Sequence, residues 1–117
     1  MEKILFEELM ISDEIKRAIK DMGFEEATPV QSQSIGPMME GHDIVAQAPT
    51  GTGKTCAFGI PVIEGMDAEA RHVQALVLCP TRELVVQTTN ELLKLTKYKH
   101  SIRVVPIYGG QNMERQI

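Results

Sequence analysis

A chain of 117 residues has room for one small domain with a single core and little surplus. It is 43% hydrophobic and 24% charged, the proportions of a folded globular protein rather than a disordered or fibrous one. A formal charge of −4 with a pI near 5.3 excludes a surface that grips nucleic acid as a whole, so any such site must be local.

Taken in chain order, Ser12 caps a first helix, with Asp13 and Glu14 at its positive end. Ile15, Ala18, Ile19 and Met22 form one apolar stripe, and Gly23 ends the run. Thr28, with Pro29 at the first helical position, opens a second helix. It reaches about Glu40, is stopped by Gly41, and is expected to kink at Gly36-Pro37. Residues 43–48 read as a strand and 48–53 as a loop, after which Lys54 starts a third helix toward Ile63, disturbed by Gly59 and Pro61. Residues 74–79 have the near-continuous apolarity of a buried parallel strand. A long helix follows from Thr81, with Leu84, Thr88, Leu92 and Leu95 on one face. Residues 102–107 read as a third strand, and Tyr108-Gly109-Gly110 as a loop. Strand alternating with helix predicts an α/β fold with a parallel sheet. The final stretch, from Asn112, reads as a helix start without a stop, as in a chain cut from a longer one.

No apolar run is long enough to span a membrane, and the acids within the first ten residues argue against a signal peptide, so a cytoplasmic address is expected. Cys56 and Cys79 sit far apart in apolar surroundings and read as small buried hydrophobes. His42, His72 and His100 stand alone, and no pair has zinc-ligand spacing.

Ala48-Pro49-Thr50-Gly51-Thr52-Gly53-Lys54-Thr55, between a predicted strand and a predicted helix, has the pattern of a phosphate-binding loop. Gly51 and Gly53 let several backbone N–H groups converge on one anion, and the helix start adds its positive end. Lys54 would reach the β- and γ-phosphates of a nucleotide, and Thr55 would offer its hydroxyl to Mg²⁺. Ala48 departs from the general pattern, which has glycine there. The loop identifies a phosphate ligand, not the base or the reaction.

Thr28-Pro29-Val30-Gln31 fits a capping box, in which the Gln31 side chain bonds back to the backbone N–H of Thr28. A second reading comes from the combination of motifs. Gly23-Phe24, Thr28-Pro29 and Gln31, then 48–55, then Pro80-Thr81-Arg82-Glu83-Leu84 and finally Gly109-Gly110 resemble, in order, the N-terminal part of the first RecA-like domain of DEAD-box RNA helicases. The resemblance runs from about residue 6 to residue 117.

It implies that residues 1–22 are an N-terminal flank and that 23–117 belong to the RecA-like domain. The implied nucleotide is ATP with Mg²⁺, Phe6 stacking on adenine and Gln31 reading it, since an amide supplies both the donor and the acceptor that the adenine edge requires. Thr28, residues 48–53, Lys54 and Thr55 complete the nucleotide site, and Lys54 and Thr55 are the implied catalytic contributors. Pro80, Thr81, Arg82, Gly109 and Gly110 are the implied RNA contacts, to backbone and so independent of sequence. Thr81 also reads as an ordinary N-cap, and Gly109-Gly110 as a turn. Lys94, Lys97, Lys99 and Arg103 read as a solvated helix end in preference to an RNA patch.

The family's Asp-Glu-Ala-Asp, its Ser-Ala-Thr segment and its second domain have no counterpart here. The longer parent is therefore expected to couple ATP hydrolysis to RNA unwinding, while this chain binds ADP or ATP at most. The alternative is a non-catalytic adenine-nucleotide or RNA-binding module. With neighbouring strands missing, the chain is further expected to be marginally stable or to pair with another copy of itself.

Overall fold

A computed structural model of the chain describes residue 5 and residues 9–47, 53–67 and 69–108. Four helices organise them: α1 (Asp13–Asp21), α2 (Pro29–Met39), α3 (Lys54–Glu64) and α4 (Arg82–Leu95). The expected starts hold because the caps are made. Ser12 Oγ accepts from Ile15 N, Thr28 Oγ1 from Gln31 N and Thr81 Oγ1 from Leu84 N, at 3.4, 3.4 and 3.1 Å. Each satisfies one of the N–H groups that a helix start leaves without an intrahelical partner.

The helices close around one apolar centre. Ile15 and Ile19 of α1 meet Ile35 of α2, Cys56, Ile60 and Ile63 of α3, and Leu92 and Leu95 of α4. Burying each isoleucine or leucine fully stabilises the fold by about 1.5–3 kcal/mol. α2 packs on α3, α3 on α4, and α1 on α4. The predicted apolar face of α4 is therefore only half used: Leu92 and Leu95 are buried, whereas Leu84 is 40% exposed.

Gly59 and Pro61 do not interrupt α3, which runs through both to Glu64. Gly59 is where α4 comes closest. A Cβ there would lie 2.9 Å from Leu92 Cδ2 and 3.1 Å from Leu95 Cδ1. Its place in the sequence reflects helix packing rather than helix weakness. The other end of α3 is tied to α1. Ser12 N donates to Glu64 Oε1 at 3.0 Å, and Ser12 Oγ donates to the same oxygen. The carboxylate thus sits at the positive end of α1.

The three predicted strands differ from expectation. Among the described residues, 43–47, 74–79 and 102–107 carry no ladder, and the bridge that is present joins Leu5 to Glu26 in antiparallel sense. The physical reason lies in their exposure. A parallel strand is stable when both faces are covered, yet Val45 is 99%, Leu76 79% and Leu78 84% exposed. Residues 102–107 alternate instead, with Ile102, Val104 and Pro106 half-buried and their neighbours exposed, which is the pattern of a segment covered on one side. An apolar cleft of about 400 Å³ lies between residues 75–79, residues 102–107 and the helices, lined by Phe58 and Val62 of α3, Met66 just beyond it, Val85 of α4, Leu76 and Val104 among others.

Candidate nucleotide and nucleic-acid site

Gln31 is 2% exposed, and both ends of its amide are engaged. Its Oε1 accepts from Thr28 N at 2.8 Å, completing the capping box, and its Nε2 donates to the Gly53 carbonyl at 3.0 Å. The second bond crosses from α2 to the residue that caps α3 and was not foreseen from the sequence, because it joins positions 22 apart. Gly53 has φ +80°, in the left-handed region where glycine carries no steric cost. A Cβ on it would lie 2.2 Å from Gln31 Nε2. Glycine is required there twice over, for its backbone and for the approach of Gln31.

The consequence for α3 is an open N-terminus. α1, α2 and α4 each receive a side-chain oxygen, but Gly53 has none to give, and among the described residues no side chain caps the first turn at Lys54. A helix start with free N–H groups and the positive end of the dipole is a place that anions favour. Lys54 is exposed, and Thr55 is half-buried in the same turn. This donor set fits a nucleotide phosphate, with the Thr55 hydroxyl a ligand of the kind Mg²⁺ accepts. Among the described residues no group of three or more His, Cys, Asp or Glu side chains gathers to hold a metal.

Thr28, Gln31, Gly53, Lys54 and Thr55 are thus brought to one place. Phe6, Ala48, Pro49, Thr50, Gly51 and Thr52 lie outside the described residues, as do Gly109 and Gly110. At the start of α4, Pro80, Thr81 and Arg82 are exposed. The Arg82 guanidinium lies 5.4 Å from the centre of the Tyr108 ring. Thr81 makes its cap, as the simpler reading has it, and its exposure leaves the hydroxyl open to further contact.

The profile of the DEAD/DEAH box helicase family matches residues 28–117. The chain belongs to that family. Among helicase relatives, the ATP-dependent RNA helicase CshA of Limosilactobacillus reuteri is 53% identical over 112 residues, covering 96% of this chain and 22% of that protein. The CshA of Geobacillus kaustophilus is 52% identical over the same length, covering 24% of it. The chain therefore spans about a quarter or less of these relatives. Among solved helicase structures, a DEAD box protein from Methanococcus jannaschii superposes with a TM-score of 0.83 at 37% identity, over 98% of this chain and 32% of that one. Prp28 from Chaetomium thermophilum, bound to ADP, gives 0.84 at 33% identity, over 96% and 28%. The fold is thus that of part of a RecA-like helicase domain, and no described helix is long and apolar enough to cross a membrane.

Proposed function

We propose that this chain is the adenine-nucleotide-binding part of a DEAD-box RNA helicase, whose complete form couples ATP binding and hydrolysis to the opening of RNA duplexes in the cytoplasm. The observation that carries the reading is the Gln31–Gly53 hydrogen bond, which fixes an adenine-reading amide to the mouth of an uncapped phosphate-binding helix.

The valences of Gln31 are compatible with both of its roles. A primary amide has two N–H groups and two acceptor lone pairs. The bonds to Gly53 and Thr28 use one of each, which leaves one donor and one acceptor for the edge of adenine. Guanine presents an acceptor where adenine presents its amino group, so the same pair fits it poorly. Phe6 stacks on the base, residues 48–53 and Lys54 hold the phosphates, and Thr55 holds Mg²⁺. The bound metal neutralises phosphate charge. Pro80, Thr81 and Arg82 at the α4 start, with Gly109 and Gly110, take RNA through its backbone.

Nucleotide binding by this chain is expected without turnover, since the sequence has no Asp-Glu-Ala-Asp to position the metal and water. The parallel sheet is proposed to form when the apolar faces of 43–47 and 74–79 are covered. In this chain by itself their exposure favours pairing with a second copy, which sedimentation at increasing concentration tests.

Calorimetric titration with ADP and GDP tests the main reading. ADP binding that GDP does not match, and that is lost in Gln31→Ala, is the expected result. Equal binding of both nucleotides would remove Gln31 as the base reader. RNA binding without any nucleotide binding would favour the non-catalytic module.

A further inference from the structure

Arg82 is a cation at the unfavourable end of its helix. It is the first residue of α4, next to the Thr81 cap, where the dipole is positive and acids are preferred. α1 opens on Asp13 and α2 on Pro29, whereas α3 opens on Lys54 at the proposed phosphate site. Helix stability does not account for an arginine in this position.

Among the described residues no carboxylate pairs with Arg82. Its guanidinium lies instead over the face of the Tyr108 ring, 5.4 Å from the centre, within the range of a cation–π contact. Lys97, just beyond the other end of α4, is held differently, by Asp21 Oδ2 at 3.0 Å. The two kinds of partner leave different chemistry behind. A carboxylate takes N–H donors and cancels charge, whereas a ring face attracts the cation through its quadrupole and leaves the guanidinium donors to an oxygen ligand. Tyr108 is half-buried and Arg82 exposed, so the ring is the better-fixed partner and the guanidinium is the group that a ligand meets.

We propose that Tyr108 is a positioning residue, whose ring holds the Arg82 guanidinium, charged and with its donors free, for a phosphate at the α4 start. The inference rests on the reading above in which Pro80, Thr81 and Arg82 take RNA. A free arginine loses much rotamer freedom when it grips a ligand, and one already held by a ring loses less. Tyr108 immediately precedes Gly109-Gly110, so the contact also ties the chain entering that glycine pair to the first turn of α4.

A double-mutant cycle tests this, read by fluorescence anisotropy of a labelled, mixed-sequence single-stranded RNA with the full chain. Tyr108→Leu removes the ring face and is expected to weaken binding about two- to fivefold, the scale of an exposed cation–π contact. Tyr108→Phe keeps the face and is expected to bind as the native chain does. In an Arg82→Gln background Tyr108→Leu should have no further effect, because the side chain it positions is gone. Additive losses in that cycle would make Tyr108 a general support of the fold and overturn the proposal, as would native affinity in Tyr108→Leu. Two further readouts separate its failure from failure of the RNA reading. Arg82→Gln should lower the slope of log affinity against log salt by about 0.7, the share of one phosphate on a single strand. An unchanged slope, or no RNA binding by the native chain, removes the RNA reading of Arg82 and the proposal with it. The ring-current shift of the Arg82 side-chain protons, present in the native chain and lost in Tyr108→Leu, reports the pairing without RNA, and its absence from the native chain overturns the proposal alone.

Discussion

Gln31 and Gly53 are joined by a hydrogen bond of 3.0 Å that spans the gap between α2 and α3. It gives one side chain three duties: closing a capping box, holding the residue at the mouth of α3, and, in the proposed function, reading adenine. Two substitutions separate these. Gln31→Ala leaves Thr28 N and Gly53 O without their partner in a nearly buried place, and an unsatisfied buried group costs about 1–3 kcal/mol. A stability loss of about 2–3 kcal/mol by urea denaturation is expected. Gln31→Glu keeps an acceptor for Thr28 but sets a carboxylate oxygen against the Gly53 carbonyl. It is expected to cost more than the alanine despite its closer shape, and a glutamate as stable as the native glutamine would rule out the Gly53 contact.

The close approach of α3 and α4 at Gly59 sets two effects against each other. Alanine in mid-helix is favoured over glycine by about 1 kcal/mol. A new Cβ at 2.9 Å from Leu92 Cδ2 overpacks the core, at about 1–3 kcal/mol. Packing is expected to win, with Gly59→Ala less stable by about 1 kcal/mol. Because the clash involves Leu92, the same change made in a Leu92→Ala background should cost less or become stabilising. Additive effects in that double-mutant cycle would show that the helices do not meet there.

Hydrogen bonds from Tyr98 and Lys97 hold the Asp21 carboxyl below the usual carboxylate range. A carboxyl whose folded pKa is depressed contributes stability above its unfolded pKa, near 3.9, and loses it as pH falls through the folded value. Thermal melts of the native chain and Asp21→Asn should therefore differ at pH 6 and converge in acid. Lys97 is raised by the same pairing, first by its hydrogen bond to Asp21. Its contribution is present below the ordinary lysine pKa and fades only as pH rises through the higher folded value. Both groups are at the surface, so the difference is small and shrinks with added salt.

Burial pushes the Cys56 thiol up to about 11, with Glu91 adding to the effect, whereas Cys79 is only half-buried. The unfolded thiol ionises near 8.5, so between there and 11 the unfolded state sheds a proton that the folded state keeps. Stability must fall with pH across that window, and Cys56→Ser or Cys56→Ala should flatten the fall. Under native conditions at pH 8, a thiol-reactive dye is expected to modify Cys79 first and Cys56 only as the chain unfolds. Equal rates at both would contradict the buried placement of Cys56.

The sequence by itself determined whatever rests on local chemistry. The caps at Ser12, Thr28 and Thr81, the α1 stripe and the stop at Gly23 depend on residues within a turn of one another, where backbone N–H groups can find only nearby oxygens. The glycine loop before Lys54 and the ordered motifs around it were legible for the same reason, and they sufficed to place the chain among helicases. Tertiary structure decided the contacts between elements. The Gln31–Gly53 bond, the Ser12–Glu64 tie and the Asp21–Lys97 pair join residues 22, 52 and 76 positions apart, and no periodicity encodes such distances. It decided the fate of the predicted strands as well. Apolarity says that 74–79 would gain from burial, but burial requires a covering surface. Among the described residues that surface is present for α1 to α4 and for one side of 102–107, and it is absent for Leu76 and Leu78.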